Sequence, residues 1–486
     1  MEKIQRNRNN YTLLVDFYEL TMAGGFLKSG RAEQIVTFDM FFRTVPDHAN
    51  FAIMAGLEQV IDYIENLNFT EEDIDFLKSK GIFDEAFFDY LRRFHFECDM
   101  WAVPEGTVIF PGEPLVIVKG PALQAQFIET MLLVTLNHQS MIATKANRIV
   151  TAADGRPVIE FGSRRAQGYS GAILGARAAY IGGCIGTACT LADKLYGVPS
   201  MGTMAHSWVQ LFDTEYEAFL EFAKAYPDNC VLLVDTYDTL GSGVPNAIKV
   251  FTEYLVPNGY RPKGIRIDSG DMAYLSKMAR YMLDEAGFTD CTIMASNSLD
   301  EYTIDNLKLQ KAAIDSYGVG ERLITSKSAP VFGGVYKLTS VFDGEKEIPK
   351  IKISENVAKI TNPGFKKLYR FYDKATGKAL ADVVTLAHET IDTDTYEIFH
   401  PIHIWKRKVL KNFEAVALLE PVYEQGQLVY DMPSLDAIRD RARDQVERLW
   451  DEVKRLESPQ EYIVDLSQAL WDLKDQLLKA HRKGIS

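Results

Sequence analysis

His206 in MGTMAHSWVQ, Asp235 and Asp238 in CVLLVDTYDTLGSG, and Arg266 with Asp268 in GIRIDSGDM stand at the polar ends of three apolar runs. An apolar run that ends in polar and glycine residues is the pattern of a barrel strand whose C-terminal end carries a site. An imidazole held by a carboxylate on a neighbouring strand end is oriented and made a better nucleophile, able to accept a phosphoryl group, and Asp235 is the candidate holder. Arg266 and Asp268, two apart, share one face of their strand. EFGSRRAQG sets Phe161 and Arg164 at another strand end, and IDSYGVGERLITS supplies Gly318 and Gly320, where backbone N–H groups approach a phosphate closely. Each feature alone also has a bland reading: a satisfied buried histidine, an Arg–Asp ion pair, a core phenylalanine, a plain turn. Their recurrence after strand upon strand points to one active site assembled from separate loops.

The elements that must position these residues alternate. RPVIEFG precedes the helix AQGYSGAILGARAAYIGG, PSMGTMA precedes TEYEAFLEFAKAY, and CVLLVDT precedes VPNAIKVFTEYL; GIRID and CTIMAS are likewise each followed by a helical pattern. Five such pairs read as βαβ units, best closed into a barrel or half-barrel, with a doubly wound open sheet as the alternative. Upstream, TEEDIDFLKSKG is a capped amphipathic helix. WAVPEGTVIFPGEPLVIVKG reads as three strands of a small antiparallel unit, and residues 122–153 as one long helix bridging two domains. From about Ser340, charged strands and hairpins follow, with KKLYRFYDKATGKALADVVTL turning at Thr376 and Gly377, and then the charge-laced helix SLDAIRDRARDQVERLWDEVKRL. The expected division is 1–135, an N-terminal α+β domain with its linking helix; 136–339, a catalytic α/β barrel; and 340–486, strands and helices packing on the others.

A chain of 486 residues with 47% hydrophobic and 25% charged residues is an ordinary globular protein long enough for two or more domains. A net charge of -14 argues against a nucleic-acid or anionic-membrane binder, which needs a basic face. Five cysteines without CxxC spacing, no signal-peptide pattern and no long apolar stretch point to the cytoplasm.

From DFYELTM near the start to NPGFKKLYRFYD near the end, the chain resembles the nicotinate phosphoribosyltransferase family of type II phosphoribosyltransferases. The resemblance implies an irregular (β/α) barrel with a second α+β domain built from the N- and C-terminal segments. It also implies condensation of nicotinate with phosphoribosyl pyrophosphate to nicotinate mononucleotide in NAD salvage, with ATP as co-substrate and Mg²⁺ on the diphosphate. His206, in the segment similar to the family's GTMAHSWV-type motif, is then the phosphohistidine, oriented by Asp235. Arg266 lies near the pyridine ring, and Asp268 lies near the ribose hydroxyls, where a carboxylate also stabilises positive charge on the sugar as the anomeric bond breaks. Phe161 stacks on one ring face and Tyr18, in VDFYELTM, on the other; Tyr18 is offered by the partner subunit, which implies a homodimer. Arg164 and Arg266 stand near the acid group. Gly318 and Gly320 match the phosphate loop, with Glu321 as a departure whose side chain is expected to turn away or meet a cation. Lys352, with Ser354 and Lys359, matches the diphosphate-side segment; ordinary solvated lysines are the competing view. Related nicotinamide enzymes carry an acid after the Gly-Thr of the segment matching GTAC, where this chain has Ala188; this favours nicotinate. The alternatives are a nicotinamide phosphoribosyltransferase and a non-catalytic barrel that binds a ligand. A metal-dependent barrel hydrolase would want clustered histidines, and none lie closer in sequence than His400 and His403.

Overall fold

In a computed structural model, residues 10–355 and 359–483 are described. The chain divides into two units. Ile142–Pro330 form one, and the segments up to Met141 and from Val331 onward form the other, so the division falls inside the helix Glu129–Ala153. The long helix expected over 122–153 is two, Ala122–Phe127 and Glu129–Ala153, interrupted at Ile128, where ψ opens to 0°.

The 142–330 unit holds six parallel strands: Val158–Glu160, Gly186–Thr187, Val231–Leu233, Gly264–Ile267, Thr292–Ser296 and Ser316–Val319. Their spatial order starts from Gly186–Thr187, passes through 158–160, 316–319, 292–296 and 264–267, and ends at 231–233. Strands buried on both faces are near-continuously apolar, as VLL and GIRI are here. Leu232, Leu233, Ile265, Ile267 and Ile293 share a core with Phe219, Ala247, Phe251, Ala279 and Leu283 of the intervening helices, all essentially inaccessible. Each such side chain contributes at most about 1.5–3 kcal/mol by leaving water.

The two edge strands, 186–187 and 231–233, are not paired with each other, so the sheet is open in its backbone hydrogen bonding. The expected strand at PSMGTMA does not form: Ser200 makes a single parallel bridge to Thr187, and Met201–Ala205 carry no regular structure. Gly202 and the small residues around it weaken strand pairing. The two-residue strand Gly186–Thr187 is too short to leave a periodic signal.

In the other unit Ile35–Phe41 lies inside a seven-stranded sheet, antiparallel to both Val335–Asp343 and Val116–Pro121. A four-stranded sheet contains the expected hairpin, Lys366–Asp373 with Ala379–Leu386. The triple-stranded unit expected over 100–119 is split. Asp99–Ala102 pairs with Val116–Pro121, while Val108–Ile109 pairs with Ala52–Ile53, because a two-residue strand flanked by breakers takes whichever edge is near. Thr70 and Asp73 cap the helix Glu71–Lys78 reciprocally, and Ser434 caps Leu435–Glu447.

Candidate active site

His206 opens a short helix, His206–Gln210, at the end of the unstructured 201–205 segment. Its Nδ1 lies 3.1 Å from the Thr236 Oγ1, and its Nε2 lies 3.7 Å from an Asp268 carboxylate oxygen. The His206 side chain is 40% exposed. Thr236 and Asp268 follow neighbouring strands, and the histidine is therefore clasped between two strand ends.

Asp235 does not hold His206. It is buried, and one carboxylate oxygen accepts the Asp268 N–H (3.0 Å) and the Ser269 hydroxyl (2.6 Å) while the other has no hydrogen-bond partner. Successive side chains of an extended segment point to opposite sides, so Asp235 turns into the neighbouring loop and Thr236 meets the imidazole. Asp238 is also accounted for locally: its carboxylate accepts the Leu240 and Gly241 N–H groups at the start of the following helix.

Asp268 is fixed from two sides, by its own N–H on Asp235 and by the Ser296 hydroxyl, which donates to its second oxygen. Arg266 donates through Nη1 to the Thr203 hydroxyl at 2.6 Å and leaves its buried Nε unpartnered. Burial lowers the Arg266 pKa, Asp268 and Asp235 oppose that shift, and Arg164 adds to it, so the two guanidiniums and both carboxylates share one field. Arg164 itself is exposed on the turn Ser163–Arg165.

Phe161 and Gly318 fit together. A Cβ on Gly318 would lie 2.5 Å from the Phe161 Cδ2, so the glycine is what admits the half-buried ring over the neighbouring strand. The Phe161 N–H donates to the Val319 carbonyl, and the Phe161 carbonyl lies against Gly320. Beyond Gly320, Glu321 turns to the Lys327 ammonium at 2.6 Å, which holds its carboxyl below the usual range; the expectation that it meets a cation is met. Arg165, Gln167, Glu321, Thr325, Lys327 and Pro330 line an open cleft of about 370 Å³ there. Ala188 presents its methyl group to solvent just after Thr187.

Tyr18 and Lys352 belong to the other unit. Tyr18, 43% exposed, stands in the helix Phe17–Lys28 with its hydroxyl on Glu129; burial and Glu129 raise its pKa. Glu129 also lies 3.8 Å from the Lys337 ammonium, whose pKa falls by burial and by the nearby charges of Lys352 and Arg43. Lys352 and Lys359 are exposed, and residues 356–358 of the same segment lie outside those described.

Thr203, Thr236, Ser269, Ser296 and Lys337 went unnoticed in the sequence. The hydroxyls that set the site carry no spacing signal, because each acts on a residue of another strand end.

Among the described residues, no group of three or more His, Cys, Asp or Glu side chains is gathered closely enough to hold a metal ion, and no helix is long and apolar enough to cross a membrane.

Residues 13–137 match the profile of the nicotinate phosphoribosyltransferase (NAPRTase) N-terminal domain, and residues 365–474 that of the nicotinate phosphoribosyltransferase C-terminal domain. The chain is 43% identical over 480 residues to the nicotinate phosphoribosyltransferase of Bacillus subtilis, covering 98% of this chain and 97% of that one. It is 33% identical to the Mus musculus protein of the same name, covering 96% of each. The crystal structure of human nicotinic acid phosphoribosyltransferase superposes with a TM-score of 0.85 at 30% identity, covering 95% of this chain and 99% of that one. A nicotinate-nucleotide pyrophosphorylase from Pyrococcus furiosus, at TM-score 0.70 and 23% identity, shares the fold.

Proposed function

The chain belongs to the nicotinate phosphoribosyltransferase family, and from that premise we propose that it condenses nicotinate with phosphoribosyl pyrophosphate at the strand ends around His206, coupled to ATP through a phosphohistidine. The products are nicotinate mononucleotide, pyrophosphate, ADP and phosphate. The observation that carries this reading is the clasp on His206: Nδ1 on the Thr236 hydroxyl, Nε2 3.7 Å from Asp268 on a part-exposed ring, and Arg266 on the strand that leads into Asp268.

With Nδ1–H donating to Thr236, the lone pair sits on Nε2. Nε2 attacks the γ-phosphorus of ATP, the bond to the ADP oxygen breaks, and water later releases phosphate from the imidazole. Asp268, pinned by Ser296 and by its own N–H, presents negative charge to the ribose carbon as pyrophosphate departs. The Phe161 ring over Gly318 supplies one wall for a flat pyridine, and Arg164 and Arg266 attract its carboxylate. With Ala188 in the turn after Thr187 there is no carboxylate to repel that acid, which favours nicotinate over nicotinamide. The cleft bearing Arg165 and Lys327 beside Gly320 suits a phosphate.

Mg²⁺ would arrive on the diphosphate, and the unpartnered Asp235 oxygen and Asp268 are the carboxylate donors that would hold it. Bound there, it would neutralise the leaving diphosphate. Pro199–Met201 pair with Thr187 at one sheet edge, and Thr203 and His206 meet the ends of strands 264–267 and 231–233 at the other. On this basis the 200–206 segment completes an irregular barrel. Leu14, Phe17, Tyr18 and Met22 form an exposed apolar face, which supports a homodimer in which Tyr18 closes the slot of the partner subunit. Five free cysteines accord with a cytoplasmic enzyme.

The test is a paired assay with Mg²⁺ and phosphoribosyl pyrophosphate, offering nicotinate or nicotinamide with and without ATP to wild type and to His206→Ala. Nicotinate mononucleotide stimulated by ATP in wild type but not in the variant is the expected result. Stimulation that survives in the variant would remove the phosphohistidine, product from nicotinamide alone would overturn the substrate, and no product from either would favour a ligand-binding protein.

A further inference from the structure

Glu160 is wholly buried at the end of strand Val158–Glu160, next to Phe161, and carries no ion pair. One carboxylate oxygen accepts the Gly162 N–H, and the other accepts the Thr187 hydroxyl at 2.6 Å. Its backbone carbonyl accepts the Ala188 N–H at 2.8 Å. Thr187 carries the connection onward. Its Oγ1 accepts the Cys189 N–H at 3.0 Å, its N–H donates to Pro199 O at 2.9 Å, and its carbonyl accepts the Met201 N–H at 2.8 Å. Three loops therefore meet at one buried side-chain pair: the turn bearing Phe161 and Arg164, the turn bearing Ala188, and the segment that leads through Thr203 to His206.

A full or partial charge buried at that depth is costly unless its hydrogen bonds are made. Packing alone would be served as well by an apolar side chain in the same space. What a carboxylate adds is two fixed acceptors, one for each neighbouring turn, which hold the turns in a single register. We propose that the Glu160–Thr187 pair is the positioning element of the ring slot, setting the Phe161 and Arg164 turn against the Ala188 turn and so fixing the preference for a pyridine acid. The proposal rests on the phosphoribosyltransferase reading above for the identity of the ring. Glu160 and Thr187 act through Phe161, Arg164 and Ala188 and touch no reacting atom.

Thr187→Val keeps the volume and removes the donated O–H, and Thr187→Ser keeps the O–H. Steady-state kinetics on wild type and both variants separate the outcomes. Thr187→Val is expected to raise KM for nicotinate roughly tenfold, with kcat and the KM for phosphoribosyl pyrophosphate within about twofold, and to narrow the preference for nicotinate over nicotinamide by a similar factor. Thr187→Ser is expected to recover the wild-type KM. A Thr187→Val enzyme with wild-type KM and preference overturns the proposal, and so does a fall in kcat with no change in KM. If Thr187→Val does not fold, Glu160→Gln, which retains one acceptor, is expected to give the same KM effect at smaller size, and its wild-type behaviour would be equally decisive. Wild type that makes no mononucleotide would instead defeat the functional reading itself, so the two failures are distinguishable.

Discussion

In the reaction proposed above, His206 is oriented by a hydroxyl and not by an acid. The Thr236 Oγ1 at 3.1 Å is a neutral partner, so it orients the ring without bringing a second negative charge toward a phosphoryl group. Asp268 stands beside the opposite nitrogen at 3.7 Å, too far for a hydrogen bond. It follows that Thr236→Val should slow nicotinate-stimulated ATP turnover by roughly five- to tenfold, one hydrogen bond's worth of orientation, while Thr236→Ser should restore it. Equal rates for wild type and Thr236→Val in an ADP-release assay would show that the hydroxyl does not orient the ring. The sequence allowed His206, Arg266 and Asp268 to be picked out because each closes an apolar run. It led to Asp235 as the imidazole's partner because an acid attracts attention and a threonine does not; which of two adjacent residues faces a neighbouring loop is decided by the pleat of a strand that ends at Leu233.

At the scale of elements, the site depends on how closely neighbouring strands bring their C-terminal ends. Tyr317–Val319 run parallel to Val158–Glu160, which carries the chain of Phe161 directly beside Gly318. Gly318→Ala should therefore displace the Phe161 ring, since the added carbon would sit 2.5 Å from it and the backbone on either side is held in the sheet. The expected outcome is a nicotinate KM raised about tenfold or more, together with a loss of stability of about 1–3 kcal/mol, the usual range for overpacking. Unchanged KM with lowered stability would mean that the ring is not a wall of the slot. Strands with continuous apolar runs, such as VLL, GIRI and CTIMAS, were legible from their composition and bounding turns. The 186–187 strand and the irregular 201–205 segment were not, because their conformation comes from Thr187 pairing with Pro199 and Met201 and not from any local pattern.

For the molecule as a whole, the pairing of segments distant in sequence is what local reading misses. Ile35–Phe41 lies between Val116–Pro121 and Val335–Asp343, and no periodicity announces either neighbour. The same assembly buries acids. Glu19 and Asp465 are 0% and 2% exposed, each keeps one carboxylate oxygen without a partner, and burial raises their carboxyls to about 7 from ordinary values of 4.5 and 3.8. A group whose folded pKa exceeds its unfolded value binds its proton more tightly in the native state. Its stabilisation is thus complete below about pH 4 and is lost as the pH rises through 7. The wild-type melting curve alone would not isolate this effect, because a chain of net charge -14 also repels itself more strongly as pH rises. The difference between wild type and a neutral mimic does isolate it. Glu19→Gln with Asp465→Asn should exceed wild type by a small margin at pH 5, where the native carboxyls are protonated and only the unfolded ones have begun to ionise, and by a larger margin at pH 8, where the native enzyme must hold two buried charges. Calorimetric scans at the two pH values measure that difference; one that stays the same at both would place the ionisation of these acids elsewhere.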